Sequence, residues 1–114
     1  MLAQKHRFHG YNALNFAYKQ GSVVRGPALS LKYVRNDRRQ TYRVAVVVSK
    51  KVSKSAVVRN RIRRRVYEVV RSQQPGIAQP YDLVFMVQQV DIATMDHQSL
   101  QKLVAGQLQK AGVA

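Results

Sequence analysis

Apolar and polar positions recur with two different periods along this chain, and the change of period marks out its elements. From Ala28 to Val34 the period is two. Leu29, Leu31 and Tyr33 share one face, and Ser30, Lys32 and Val34 share the other, which predicts a strand. Tyr42 to Ser49 is a β-branched run interrupted by Arg43 and Ser49, a second strand. Asn36-Asp37-Arg38-Arg39 between them has turn chemistry, so the two strands are expected to pair as an antiparallel hairpin. From Ser55 the period lengthens. Val58, Ile62, Val66, Val69 and Val70 follow at spacings of three and four, forming one buried stripe of a helix for which Ser55 is the natural N-cap. Asn60, Arg64, Tyr67 and Arg71 fall on the opposite face, with Arg61 and Arg65 along a flank.

Beyond that helix, Gln74-Pro75-Gly76 and Pro80 punctuate a loop. Tyr81 to Val87 is nearly all apolar and predicts a buried third strand, and Thr94 or Asp96 caps a last helix reaching about Lys110. The stripe of that helix is Leu100, Leu103, Val104, Leu108 and Ala111. Ahead of the first strand, Asn12 caps a short helix over Ala13 to Gln20, closed by Gly21, in which Leu14 and Tyr18 share a face. Ser22 to Pro27 reads as a loop and Met1 to Gly10 as an irregular basic arm. The order helix, strand, strand, helix, strand, helix predicts one domain over residues 1–114, an α+β fold (an α/β sandwich) with a small mixed sheet. Tyr42 to Val87 is a strand–helix–strand crossover, so its strands are parallel if they are neighbours, with a right-handed connection as the default.

Charge changes this picture from a generic sandwich to a polyanion binder. The net charge is +15, and residues 1–71 hold 18 basic and 2 acidic side chains against 2 and 3 in residues 72–114. One part of the chain therefore carries the electrostatics, and attraction with counterion release points to a polyanionic partner. Arg59 and Arg61 stand in the first turns of the central helix, where the helix dipole already disfavours cations, and Lys50, Lys51 and Lys54 lead into the same end. Converging cations at a helix N-terminus make a seat for phosphate. A helix serving only as a solvated surface would mix signs, and Glu68 is the one acid available for that.

Catalytic chemistry finds no matching constellation. The five carboxylates, Asp37, Glu68, Asp82, Asp91 and Asp96, are scattered over separate predicted elements, and no Gly-rich phosphate loop or nucleophile–base pair is present. His6 and His9 lack the further ligands a metal site needs, and His97 stands apart. With no cysteine, no apolar leader and no run long enough for a bilayer, the expectation is a soluble, cytoplasmic nucleic-acid binder. A membrane-surface role fails because the cationic helix lacks an exposed large apolar face.

Ser49-Lys50-Lys51 followed by Arg59-Asn60-Arg61-Ile62-Arg63-Arg64 closely resembles the signature of the bacterial ribonuclease P protein family, and the likeness runs from about residue 5 to the last helix. The resemblance implies a left-handed crossover in place of the default. It also implies a holoenzyme in which a large RNA, holding Mg²⁺, removes the 5′ leader of precursor tRNA while the small basic protein binds that RNA and touches the leader. Carried over by motif, Lys50, Lys51, Arg59, Asn60, Arg61 and Arg64 would face the catalytic RNA, with Lys54, Arg63, Arg65 and Arg71 beside them. Leu14, Tyr18, Ser30, Lys32, Arg43 and Val47, with Ala45 between the last two, would line the leader-binding cleft. No membrane and no small-molecule cofactor are implied. Leu14 and Lys32 depart from the aromatic or apolar residues usual at those cleft positions, Tyr67 from a frequent Arg, and Gln88 and Gln89 from a basic residue. The competing expectation is a small ribosomal or other structural RNA-binding protein.

Overall fold

The computed structural model describes residues 21–37, 40–73, 77 and 79–113. The expected helix over Ala13 to Gln20, with Leu14 and Tyr18, lies outside them, as does the basic arm. In chain order the elements are β1 (Ser22–Val24), β2 (Leu29–Arg35), β3 (Arg43–Val48), α1 (Ala56–Ser72), β4 (Tyr81–Val87), a 3-10 turn (Val90–Ala93) and α2 (His97–Ala111). The four strands make one mixed sheet in the order β1-β2-β4-β3. β3 and β4 run parallel, and the other neighbours are antiparallel.

This order corrects two expectations. β2 and β3 do not form a hairpin, because β4 lies between them, pairing Leu31 with Phe85 on one side and Phe85 with Val46 on the other. The reason lies in β4 itself. Leu83, Val84 and Phe85 are fully buried, so both faces of the strand are apolar, and a hairpin would have left it at an edge. Ser22 to Pro27 is not simply a loop, since its first residues form β1 and extend the sheet beyond β2.

Both helices pack on one face of the sheet, α1 against β3 and α2 against β2 and β1. The core between them holds Leu29, Leu31, Val44, Val46, Leu83 and Phe85 from the sheet and Ile62, Val66, Leu100, Val104 and Leu108 from the helices. α1 buries Ile62, Val66, Val69 and Val70, with Val58 half-buried against them, as the apolar spacing predicts. Tyr67 departs from its predicted place on the outer face. It is half-buried and packs against the core, its long ring reaching down from the flank of the stripe.

The ends of the helices are set by local chemistry. Ser55 caps α1, its hydroxyl accepting from the Val58 N–H at 3.3 Å. Of the two candidate caps for α2, Asp96 serves, accepting from the Ser99 N–H at 3.0 Å and the Ser99 hydroxyl at 2.7 Å. The Ser99 hydroxyl, and then its N–H, hold the Asp96 carboxyl below its usual range. α2 ends at Gly112, whose φ of 75° is the left-handed conformation that glycine adopts without a Cβ clash.

Two outcomes follow. Ile62→Asp places an uncompensated charge in the fully buried centre of the α1 stripe and is expected to abolish cooperative thermal unfolding, read by circular dichroism. Burial pushes the Tyr42 phenol up to about 12 from 10.0. The folded state therefore keeps its proton while the unfolded chain ionises, so this contribution is intact below pH 10 and is lost as pH rises toward 12. Tyr42→Phe should flatten that part of the stability–pH curve, and an unchanged slope would count against it.

Candidate nucleic-acid interface

The link from β3 into α1 is short and self-tied. Ser49 O accepts from the Val52 N–H at 3.1 Å, Ser53 Oγ accepts from the Ser55 N–H at 3.2 Å, and Arg59 donates to Ser53 O at 2.9 Å. These bonds hold the loop against the first turn of α1 while Lys50, Lys51 and Lys54 stay exposed. No acidic residue occupies that first turn. The cations leading into the helix are thus set beside its positive dipole end.

Along α1 the arginines divide by what they touch. Asn60, Arg61, Arg64 and Arg71 are exposed. Arg61 and Arg64, with Arg65, Glu68 and His97, line an open depression of about 450 Å³ between α1 and the first turn of α2. Arg63 is half-buried and donates to Asn60 Oδ1 at 2.6 Å, and Arg71 lies 3.5 Å from Glu68. Arg65 also lies half-buried and turns inward, donating to Ile92 O at 2.6 Å and to Met95 O, so it ties α1 to the segment that feeds α2. Among the predicted RNA contacts, Arg59 and Arg65 therefore already hold backbone carbonyls of this chain.

The face of the sheet turned away from α1 and α2 carries the second predicted set. Strand alternation and register place Ser30, Lys32 and Val34 of β2, and Arg43, Ala45 and Val47 of β3, on this common face, as the period-two reading requires. They are not adjacent, however. Asp82, Val84 and Met86 of β4 run between the two groups, in rows Val34–Asp82–Arg43, Lys32–Val84–Ala45 and Ser30–Met86–Val47. Ala45 and Val84 are buried, with Val34, Val47 and Met86 packed around them, so the middle of the face is apolar.

One end of that face is an ion pair. Arg43 donates to Asp82 Oδ1 at 3.0 Å from Nε and to Oδ2 at 2.9 Å from Nη2, and Asn36 Nδ2 donates to the same Oδ2 at 3.0 Å. Asp82 is buried and Arg43 nearly so, hence this bidentate pair takes much of Arg43's charge out of play. Ser30 is also buried, its hydroxyl accepting from the Gly26 N–H at 3.3 Å. The β4 residues are the ones sequence reading missed. A single aspartate inside an apolar strand was their available signal.

A family profile described as Ribonuclease P matches residues 2–112. The chain belongs to the ribonuclease P protein family. The ribonuclease P protein component of Roseiflexus castenholzii is 46% identical over 77 residues, covering 68% of this chain and 62% of that one. That of a Cyanothece species is 31% identical over 118 residues, covering 90% of each. The chain thus spans 62% of the length of the Roseiflexus relative and 90% of the Cyanothece one. Among solved structures, the ribonuclease P protein of Staphylococcus aureus superposes with a TM-score of 0.83 at 24% identity, over 95% of this chain and 96% of that one. The Thermotoga maritima protein gives 0.76 at 19% identity over 85% and 89%. At these identities the structural likeness establishes the fold, a four-strand mixed sheet with helices on one face.

Removing the carboxylate that anchors Arg43 tests the sheet face. Asp82→Ala leaves the guanidinium and the Asn36 amide without that acceptor and should cost about 3–5 kcal/mol of stability, read from the urea midpoint. A loss below about 1 kcal/mol would mean that water replaces the carboxylate.

Proposed function

We propose that this chain is the RNA-binding protein subunit of ribonuclease P, and that it assists a catalytic RNA in removing the 5′ leader from precursor tRNA. The observation that carries this is the α1 surface. Lys50, Lys51 and Lys54 are exposed at its entry, Asn60, Arg61, Arg64 and Arg71 point outward along it, and no acid neutralises its first turn. Phosphate contacts from such a surface bind structured RNA and position it. Arg59, Arg63 and Arg65 support the surface by holding the loop, Asn60 and the α2 junction.

The precursor-tRNA leader is assigned to the opposite sheet face. A single strand needs apolar or stacking platforms with cations beside them. Val47, Met86 and Ala45 supply the apolar floor, and Lys32 and Arg43 are the cations on this face among the described residues, Arg43 being held by Asp82. Family membership disfavours the alternative of a structural RNA binder with no part in cleavage.

Mg²⁺, which the family implies, does not fit a protein-borne site among the described residues. Among the described residues no three His, Asp or Glu side chains converge, and both oxygens of Asp82 are occupied by Arg43 and Asn36. Phosphate and water oxygens of the RNA suit this hard ion, and no step through it is assigned to the protein. Among the described residues no helix is long and apolar enough to cross a membrane.

The test pairs binding with activity. With roughly 6–10 phosphates neutralised, affinity for a bacterial catalytic RNA should fall by about 10³–10⁵ between about 50 and 200 mM salt. Arg61→Ala and Arg64→Ala should each weaken binding and lower the salt slope by about 1, with circular dichroism unchanged. Arg65→Ala should lower stability instead. The wild-type chain should restore precursor-tRNA cleavage to that RNA at low Mg²⁺. Normal binding by the Arg61→Ala/Arg64→Ala double variant would move the RNA surface off α1.

A further inference from the structure

A second cavity lies at the other edge of the molecule. It opens between the turn joining β1 to β2 and the outer side of α2, and has a volume of about 250 Å³. α1 packs over β3 at one edge of the sheet, whereas α2 packs over β1 and β2 at the other, so this cavity is separate from the α1 surface. Its lining includes Arg25, Lys102, Gly106, Gln107 and Lys110.

Three independent features of that lining call for a ligand. The first is charge. Residues 72–114 contain two basic residues in all, Lys102 and Lys110, and both line this one cavity, with Arg25 joining them from the β1–β2 turn. Within α2 itself there is no acidic residue, and the N-cap Asp96, which senses the Lys102 charge, is held first by Ser99. The helical rise sets the two lysines about 12 Å apart along the axis, roughly two turns from one another.

The second is Gly106, which lies between the lysines at the i+4 position. Glycine inside a helix costs roughly 1 kcal/mol relative to alanine. Packing does not require it, because a Cβ built there meets no atom within 4 Å. The missing side chain keeps the cavity open and leaves the helix backbone approachable.

The third is Gln107, which is 5% exposed. Its Nε2 donates to Leu29 O, and this fixes the orientation of the amide, while its Oε1 is buried without a donor. An unmet acceptor of this kind costs about 1–3 kcal/mol. The site therefore offers cations for an anion and, a side chain away, an acceptor waiting for a hydroxyl. RNA brings both, since each phosphate is followed by a ribose with a 2′-OH donor, which DNA lacks.

We propose that this cavity is a second RNA-backbone site, in which Lys102, Lys110 and Arg25 seat phosphates across the gap left by Gly106 and Gln107 Oε1 accepts from a ribose 2′-OH. The inference rests on the chain being an RNA binder. It adds that the protein engages RNA on two separated surfaces, one a broad, predominantly basic face on α1, the other a small pocket that distinguishes ribose from deoxyribose.

The experiment titrates a short oligouridylate, its deoxy counterpart and inorganic phosphate into the ¹⁵N-labelled full chain, as wild type and as the Arg61→Ala/Arg64→Ala variant. The Gly106 backbone amide and the Gln107 side-chain amide should shift with oligouridylate in both proteins, and about tenfold more weakly with the deoxy strand. Gly106→Leu, which fills the gap and favours the helix, should abolish those shifts, as should Lys102→Ala/Lys110→Ala. Equal response to the ribo and deoxy strands, or saturation of the same shifts by inorganic phosphate at the same concentration, would overturn the ribose-reading site. Shifts confined to α1 would remove the second site and leave the α1 surface standing. No response anywhere in the wild-type chain would remove both.

Discussion

Burial of β4 on both of its faces is the constraint on which the rest of this structure depends. A strand whose Leu83, Val84 and Phe85 are all removed from water has to sit inside the sheet, and placing it there separates β2 from β3. The parallel pairing of β3 with β4 then requires a long crossover, and α1 is that crossover. Its position over β3 and its outward cationic side follow from the same demand. The apolar stripe of α1 faces the sheet, so Arg61, Arg64 and Arg71 face the solvent.

The helix that results is costly in isolation. Several like charges share its surface, and its first turn adds cations to a positive dipole end. The protein offsets this by giving part of the cationic set internal work. Arg65 satisfies the carbonyls of Ile92 and Met95, Arg59 holds the loop at Ser53, and Arg43 is neutralised by Asp82. What remains outward is a smaller group with a more defined geometry than the sequence count of basic residues conveys.

The β3–α1–β4 region was the most legible part of the sequence. Its periodicity is long, its cap is a serine in the right place, and its apolar stripe obeys its spacing, with Tyr67 the departure. Sheet order was not legible, since turn chemistry between β2 and β3 is a local signal and β4's claim to the centre is a global one. β1 escaped because three residues, Ser22–Val24, are too few to show an alternation. The candidate site divided in the same way. Cations could be listed from the chain, and their common faces follow from the helical and strand periods. Which arginines turn inward could not be read, because the partners of Arg65 lie 27 and 30 residues away in an irregular segment. Asp82 stood out as a lone acid in an apolar strand, although its partnership with Arg43 emerges once β3 and β4 are neighbours.

The strand order has a kinetic side as well. Leu29 pairs with Val87, and Arg35 with Tyr81, so β2 can meet β1 early but cannot pair with β4 until most of the chain has been synthesised. Loop closure of this length comes before the contacts that reward it, which sets a mixed fold of this kind between fast helical bundles and slow all-β sheets. During that interval the Val-rich strand β3 is without its neighbour β4, next to a segment dense in positive charge. Mutual repulsion between such chains keeps their open strand edges apart. The charge that suits the folded protein to a polyanion thus also guards the nascent one against pairing with its own copies.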